Sequence, residues 1–214
     1  MQQGVSDGPS PTPARPSDSH PSAAAPEGQR QGQWPAPWPR RIAVVGCSGS
    51  GKSTAGQRVA AALGLPLIEL DALYWGPNWT PVPDEVFAAR LAGALALPGW
   101  VIVGNYERRT RNAVQDAAEA VLWLDLPLWR CFWRALRRTL WRAWSQEALW
   151  GGTNRESFRK SFLRRDSILL WVLTSHAKTR AQYQARLAEP GWRAKVWHCR
   201  TPAQVRALLG RLPR

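Results

Sequence analysis

The sequence predicts an α/β fold of three layers: a five-stranded parallel sheet, helices on both faces, and a helical lid. Three observations predict it. Short, continuously apolar runs alternate with helical stretches, the pattern of a parallel sheet covered on both sides. The first run, Ile42-Ala43-Val44-Val45, leads into a glycine-rich loop and then a helical stretch from Ser53 to Leu63. After the fourth run comes a segment crowded with arginine and tryptophan, unlike anything before it.

Residues 1–39 are mostly Pro, Ser, Ala, Gly and Gln without aliphatic periodicity. Such a stretch cannot bury enough apolar surface to offset its ordering entropy and reads as a disordered tail. It lacks the apolar h-region of a signal peptide, and Asp7, Asp18 and Glu27 argue against a transit peptide. Residues 40–214 form one domain, large enough for a real core. Its first strand runs through Val45. The helix after the loop ends in Ala60-Ala61-Ala62-Leu63 and stops at Gly64, with Pro66 just beyond. Leu67 to Leu70 is a second strand ending at Asp71. Tyr74-Trp75-Gly76-Pro77-Asn78-Trp79-Thr80-Pro81 is too rich in Pro and Gly for a regular element and reads as a loop with aromatic anchors.

Asp84 to Leu97 is a helix, with acids in its first turn and Val86, Phe87, Leu91 and Leu95 on one face. Trp100 to Val103 is the third strand. A polar helix follows over about Thr110 to Ala118, and Val121 to Leu124 is the fourth strand, ending at Asp125. From Leu128 to Trp144, Trp129, Trp133, Leu136 and Leu140 repeat at helical spacing among Arg130, Arg134, Arg137, Arg138 and Arg142. Gly151-Gly152 breaks that pattern. Thr153-Asn154-Arg155-Glu156 has the form of a capping box for a further helical region, which reaches about Leu187 with interruption. Ala194 to His198 is the fifth strand. Thr201-Pro202-Ala203-Gln204 supplies a cap, an N1 proline and an N3 glutamine for a final helix.

Composition excludes several classes. No apolar run approaches the roughly 20 residues of a membrane-spanning helix, so no membrane partner is expected. Cys47, Cys131 and Cys199 are odd in number and lack metal-ligand spacing, which points to a reducing, cytoplasmic setting without a disulfide framework. The formal charge of +14 falls almost wholly on the folded part and attracts phosphate-rich partners, whether nucleotides or nucleic acid. Burial accounts for about ten of the tryptophans. Trp75 and Trp79, in the irregular loop, are the candidates for ligand contact. His20, His176 and His198 are scattered and form no catalytic or metal set.

The chemistry starts at Gly46-Cys47-Ser48-Gly49-Ser50-Gly51-Lys52-Ser53-Thr54, which fits the phosphate-loop pattern G-x-x-x-x-G-K-[ST] at every specified position. Its glycines let successive N–H groups point at phosphate oxygens, and the helix that follows adds its positive end. Gly46, Ser48, Gly49, Ser50, Gly51, Lys52, Ser53 and Thr54 are therefore the nucleotide-binding candidates. Lys52 can reach the β- and γ-phosphates, and the Ser53 hydroxyl can ligate Mg²⁺. A Mg²⁺ site also needs a carboxylate at a strand end near the loop. Asp71 is favoured over Asp125, with Glu69 secondary. Between Arg130 and Arg165 ten basic residues stand against only Glu147 and Glu156, more than a solvated face needs. A lid whose arginines close over a transferring phosphoryl group is favoured, with Gly151-Gly152 as hinge.

The phosphate loop, then Glu69-Leu70-Asp71-Ala72-Leu73-Tyr74-Trp75, Gly104-Asn105-Tyr106, Trp123-Leu124-Asp125-Leu126-Pro127, Asn154-Arg155-Glu156-Ser157 and Arg165-Asp166-Ser167 occur in that order. Together they resemble the adenylate-kinase-like P-loop family labelled DNA topology modulation proteins, over about Arg41 to Leu209. The resemblance implies a P-loop kinase core, an acceptor-binding insertion after strand two, an arginine-bearing lid after strand four (about residues 128–165), and the use of ATP and Mg²⁺. Relatives commonly read Asp-Gly-Asn-Tyr at the end of strand three, where this chain has Val103-Gly104-Asn105-Tyr106.

The expectation is an ATP-dependent kinase acting on a small acceptor, with nucleotides among the candidates. Lys52 and Asp71 are its expected catalytic residues, with Arg155, Arg159 and Arg165 closing from the lid. Ser53 and Asp71 hold the metal, and Asp71, Trp75, Asn105 and Tyr106 face the acceptor. Two alternatives stay open: a nucleotide-dependent DNA- or RNA-binding protein, less favoured, and an ATP-binding module with little turnover.

Overall fold

The five apolar runs become five strands of one parallel sheet: β1 (Arg41–Gly46), β2 (Leu67–Glu69), β3 (Trp100–Val103), β4 (Ala120–Leu124) and β5 (Val196–Cys199). Their order is β2-β3-β1-β4-β5, so the strand that feeds the glycine loop lies in the middle of the sheet. The computed structural model describes residues 37–145, 148–149, 154–155 and 168–213. The expected tail therefore lies outside the described residues except at its last three positions.

Burial on both faces follows from the strand period of two. Ile42, Val44, Val101, Val103, Leu122, Leu124 and Trp197 face the layer of α1 (Lys52–Leu63), together with Val59 and Leu208. Val45, Trp100, Ile102 and Trp123 face the other way, onto Phe87 and Leu91 of α3 (Asp84–Leu95) and Tyr183 of a long helix described below. This is the three-layer α/β P-loop fold the sequence predicts. The last helix, α9 (Pro202–Leu209), opens with the expected capping box: Thr201 accepts from the Gln204 amide, and Gln204 accepts from the Thr201 amide.

Several boundaries differ from expectation, each for a local reason. Asp71 does not end a strand; it lies in the first turn of the short α2 (Leu70–Tyr74), where an acid meets the positive helix end. The polar helix around residue 110 splits into α4 (Glu107–Thr110) and α5 (Ala113–Ala117), because Arg111 and Asn112 take left-handed φ values of 48° and 64° between them. Ala194 and Lys195 belong not to β5 but to α8 (Pro190–Lys195). The Lys195 ammonium donates to the carbonyls of Gln115, Asp116 and Ala118 at 2.7, 3.3 and 3.2 Å, tying this helix to the end of α5. Asn154–Arg155 forms a two-residue antiparallel ladder with Ala148–Leu149, while Thr153 and Glu156 of the expected capping box, and the Gly151-Gly152 hinge, lie outside the described residues.

Two long helices complete the domain, α6 (Leu128–Ser145) and α7 (Ile168–Arg186), and they pack on each other. The inner side of α7 is polar. His176 donates to the Leu126 carbonyl (2.9 Å), Arg180 reaches Asp125 (3.3 Å), Tyr183 donates to Glu107, and Arg186 bonds Asp116 (2.8 Å). Spaced by three or four residues, these four side chains share one helix face. The tryptophan expectation fails. Trp100, Trp123, Trp192 and Trp197 are buried, but Trp129, Trp133, Trp141, Trp144 and Trp171 are all more than half exposed. The repeat in α6 is real, yet it faces away from the core.

Candidate active site

The loop between β1 and α1 is shaped by backbone rather than side chains. Gly46, Gly49 and Gly51 hold φ of 142°, 81° and 96°, a region that residues with a Cβ rarely enter. The Ser50 amide closes the turn onto the Cys47 carbonyl at 3.1 Å. Gly51 precedes α1 with no side-chain cap, so the first amides of a twelve-residue helix are left to a ligand. Ser53 and Thr54 are exposed on that first turn. The Ser50 hydroxyl is buried without a hydrogen-bond partner beside the loop it belongs to.

Lys52 folds over the loop and donates to the Cys47 carbonyl at 3.1 Å. Burial pulls its pKa below the ordinary lysine value, and the charge of Asp71 opposes that shift, which puts the Asp71 carboxylate within electrostatic reach of the ammonium. Cys47 itself sits against Cys131 of α6. The hydrogen bond from Cys131, against the cost of burial and with help from Lys52, draws the Cys47 thiol below its ordinary range.

Asp71 and Tyr106 come together as expected: the Tyr106 hydroxyl donates to Asp71 Oδ1 at 2.7 Å. Burial, then the carboxylate's charge, push the phenol well above the usual tyrosine range, so it stays a donor. Aromatic rings wall this side. Tyr74 meets Trp75, Phe87 and Tyr106 with centroids 4.8, 5.9 and 5.3 Å apart, and Trp75 meets Trp79 at 5.8 Å. The segment after α2 is tighter than a plain loop: Gly76 and Thr80 share a 2.8 Å hydrogen bond, Pro77–Trp79 forms a 3₁₀ turn, and Asn78 and Trp79 hold φ of 57° and 62°. A bulky residue at such a φ is strained, and strain of this kind gathers at ligand sites.

Asn105 does something other than expected. Its amide grips Gly46 at both ends, accepting from the Gly46 N–H at 3.0 Å and donating to the Gly46 carbonyl at 2.7 Å. It fixes the entrance of the phosphate loop and stands apart from the Asp71–Tyr106 pair. Asp125 is likewise spoken for: its buried carboxylate takes His198 at 2.9 Å and Arg180 at 3.3 Å, joining β4, β5 and α7. Val103, in place of the strand-three acid, packs on α1, and a Cβ added at Gly56 would lie 2.4 Å from its Cγ2.

Two arginines of α6 reach the loop, and sequence reasoning did not single them out. Arg134 donates to the Ser50 carbonyl at 3.3 Å and Arg138 to the Ser48 hydroxyl at 3.4 Å. The signal was available: they stand four apart beside the small residues Cys131 and Ala135, the only sort of face that could lie against a glycine turn. Arg159 and Arg165 fall outside the described residues. Arg155 is described only in its backbone, in a ladder strand that runs beside the Pro77–Trp79 turn.

The donor set suits Mg²⁺. A hydroxyl on the first turn of α1 and one carboxylate within electrostatic reach of Lys52 are what that ion takes from protein when phosphates and waters fill its other positions. Among the described residues no cluster of three or more His, Cys, Asp or Glu forms an all-protein metal cage.

No family model and no curated protein matches the chain, so the resemblance to DNA topology modulation proteins rests on its motifs alone. Among solved structures the chain is similar to a gluconokinase from Sinorhizobium meliloti 1021, at 22% identity over 69% of this chain and 97% of that one, with a TM-score of 0.36. It is also similar to a shikimate kinase from Bacteroides thetaiotaomicron, at 16% identity over 81% and 96%, with a TM-score of 0.47. A sugar kinase from Janibacter sp. shares 22% identity over 72% and 97%, with a TM-score of 0.34.

Proposed function

We propose that the chain is a cytoplasmic P-loop kinase that transfers the γ-phosphoryl group of ATP to a hydroxyl of a small acceptor, nucleotides included. The observation that carries this is the pairing of Asp71 with Tyr106 within electrostatic reach of Lys52. A phosphate cradle alone would support nucleotide binding; a carboxylate held opposite its lysine supplies the acceptor half. Loop amides and Lys52 hold the β- and γ-phosphates. Tyr106 fixes one oxygen of Asp71, leaving the other to receive the acceptor's proton. The acceptor oxygen bonds to phosphorus as the β–γ bridge breaks, and ADP leaves. Trp75 bounds the acceptor side. Arg134 and Arg138 stand where negative charge spreads over the transferring group, and Arg155, Arg159 and Arg165 complete the proposed set from the lid. Ser53 and Asp71 would hold Mg²⁺, which neutralises phosphate charge when bound.

The test is Mg·ATP turnover against nucleosides, nucleotides and small hydroxylated metabolites. Acceptor-dependent ADP release that falls at least ~100-fold in Lys52→Ala is expected. Release with no acceptor, or release indifferent to Lys52→Ala, overturns the kinase reading.

One observation favours a second reading, an ATP-binding module with little turnover: the residue beside the loop on β3 is Val103, packed into α1 with no oxygen to offer. Tight ATP binding without turnover on any acceptor would favour it over catalysis.

A further inference from the structure

The side chains of α6 are distributed the wrong way round for a core helix. Its buried stripe is Cys131, Ala135 and Thr139, all at 0% exposure, residues small enough for the helix to lie against the phosphate loop. The approach is close: a Cβ at Gly49 would stand 2.1 Å from the Cys131 carbonyl oxygen. The large apolar residues lie opposite. Trp129, Trp133, Leu140 and Trp144, at i, i+4, i+11 and i+15, are 58%, 56%, 41% and 72% exposed and form one line about 22 Å long. Trp171 and Leu173 are also exposed, on the adjoining α7.

Among the residues of α6 that border this line, the charge has one sign. Arg130 and Arg137 are exposed on its flank, with the Arg130 guanidinium 4.5 Å over the Trp129 ring. Neither α6 nor α7 contains a single Asp or Glu. Soluble monomers rarely leave so much contiguous apolar surface in water without a use for it.

We propose that this face docks on an anionic lipid bilayer, with α6 lying in the plane of the headgroups. Tryptophans on a convex helix face, flanked by arginines, are the makeup of an interfacial helix: the rings sit at the acyl boundary and the guanidinium groups meet phosphate. The aliphatic Leu140 in the same line sharpens the choice of partner. It adds insertion area in lipid but offers no flat face to a nucleobase, which sets a bilayer above single-stranded nucleic acid. A second copy would set like charges face to face, in a chain already at +14. No helix among the described residues is long and apolar enough to cross a membrane, so the association is with the surface. The docking stripe lies opposite the face that meets the phosphate loop, so lipid and nucleotide would bind opposite sides of one helix. The inference does not depend on the acceptor or on turnover.

The test uses the full chain with vesicles of pure phosphatidylcholine and of phosphatidylcholine mixed with phosphatidylglycerol, read by flotation and by quenching of tryptophan fluorescence with brominated lipid. Binding to the mixed vesicles, at least ~10-fold tighter than to the neutral ones, with quenching, is expected. The double substitution Trp133→Ser with Trp144→Ser should weaken it at least ~10-fold and leave ATP affinity unchanged, because both side chains are exposed. Arg130→Gln with Arg137→Gln should weaken it in a salt-dependent way. No association with mixed vesicles overturns the proposal, as does equal binding to both kinds or binding that ignores the tryptophan substitutions. Single-stranded oligonucleotide binding that the tryptophan substitutions abolish, with vesicles left unbound, also overturns it and gives the face to nucleic acid.

Discussion

The two halves of the candidate site are held by different means. On the donor side, the chain path itself is the device: three glycines at positive φ, an amide clamp from Asn105 on Gly46, and α6 pressed so close that Gly49 has no room for a Cβ. On the proposed acceptor side a short helix and a tight turn carry the chain, and the geometry at Asp71 is set by a side chain. One 2.7 Å hydrogen bond from Tyr106 positions Asp71, and Tyr106 in turn packs in a cluster with Tyr74, Trp75 and Trp79. A site built from backbone fails when a methyl group is added. One built from side chains is retuned by exchanging a single functional group, and specificity belongs on that side.

The sharpest break of this contrast is Gly49→Ala. The new Cβ must either displace the Cys131 carbonyl of α6 or unwind the loop, at a φ alanine disfavours. A loss of about 2–3 kcal/mol in stability is expected from overpacking and backbone strain, with ATP affinity falling more than ~100-fold. Calorimetric titration of ATP beside thermal melts checks both. An intact fold with normal ATP affinity would show that α6 does not constrain the loop.

On the other side, Asp71→Asn keeps size and removes the base. ATP affinity measured without Mg²⁺ should hold within a few-fold while kcat drops about 10²–10⁴-fold. Tyr106→Phe removes only the positioning bond, for a loss of roughly 10-fold in kcat. Steady-state kinetics on the best acceptor separates the two. Equal losses from both substitutions would make Tyr106 a reacting group rather than a positioning one.

The same division explains what the sequence revealed. The loop was legible because its physics demands particular residues at fixed spacing, and β1 to β5 because continuous apolar runs admit few alternatives. Asp71 was read at a strand end and lies in a helix, because one extra residue of strand and one of helix look alike in so short a segment. Asn105 was expected to face the acceptor, and its amide bonds Gly46. Nothing in an Asn-Tyr pair says that the amide turns back to a glycine 59 positions earlier while the phenol turns outward. The tryptophans of α6 misled most. Helical periodicity shows that one face is apolar, not that it is the buried one, and here a stripe of Cys, Ala and Thr took the core. Arg134 and Arg138 were hidden by the same error, since the side of α6 that meets the loop follows from which stripe is inside.

The smallest expected effect concerns how the acceptor side is braced. Glu107, next to Tyr106, is buried and accepts from Tyr183 of α7 and from Gln115 at 3.2 Å. Burial raises its pKa above the ordinary carboxylate value, against the opposing pull of the Tyr183 hydrogen bond. The sign follows from linkage: the folded chain holds this proton more tightly than the unfolded chain, whose glutamate titrates near about 4.3. This group's contribution is therefore most favourable below that pH, declines as pH rises to the folded value, and is level above it. Glu107→Gln keeps an acceptor for the Tyr183 hydroxyl and removes the titration. The stability difference between parent and variant should accordingly shift toward the variant as pH rises from 4 toward 7. Taking the difference between paired denaturant melts cancels the carboxylates the two proteins share, including Glu119, whose pKa is lowered. A difference that moves toward the parent instead would mean that the charged form of Glu107 is the better partner for Tyr183, and that the brace is an ionic one.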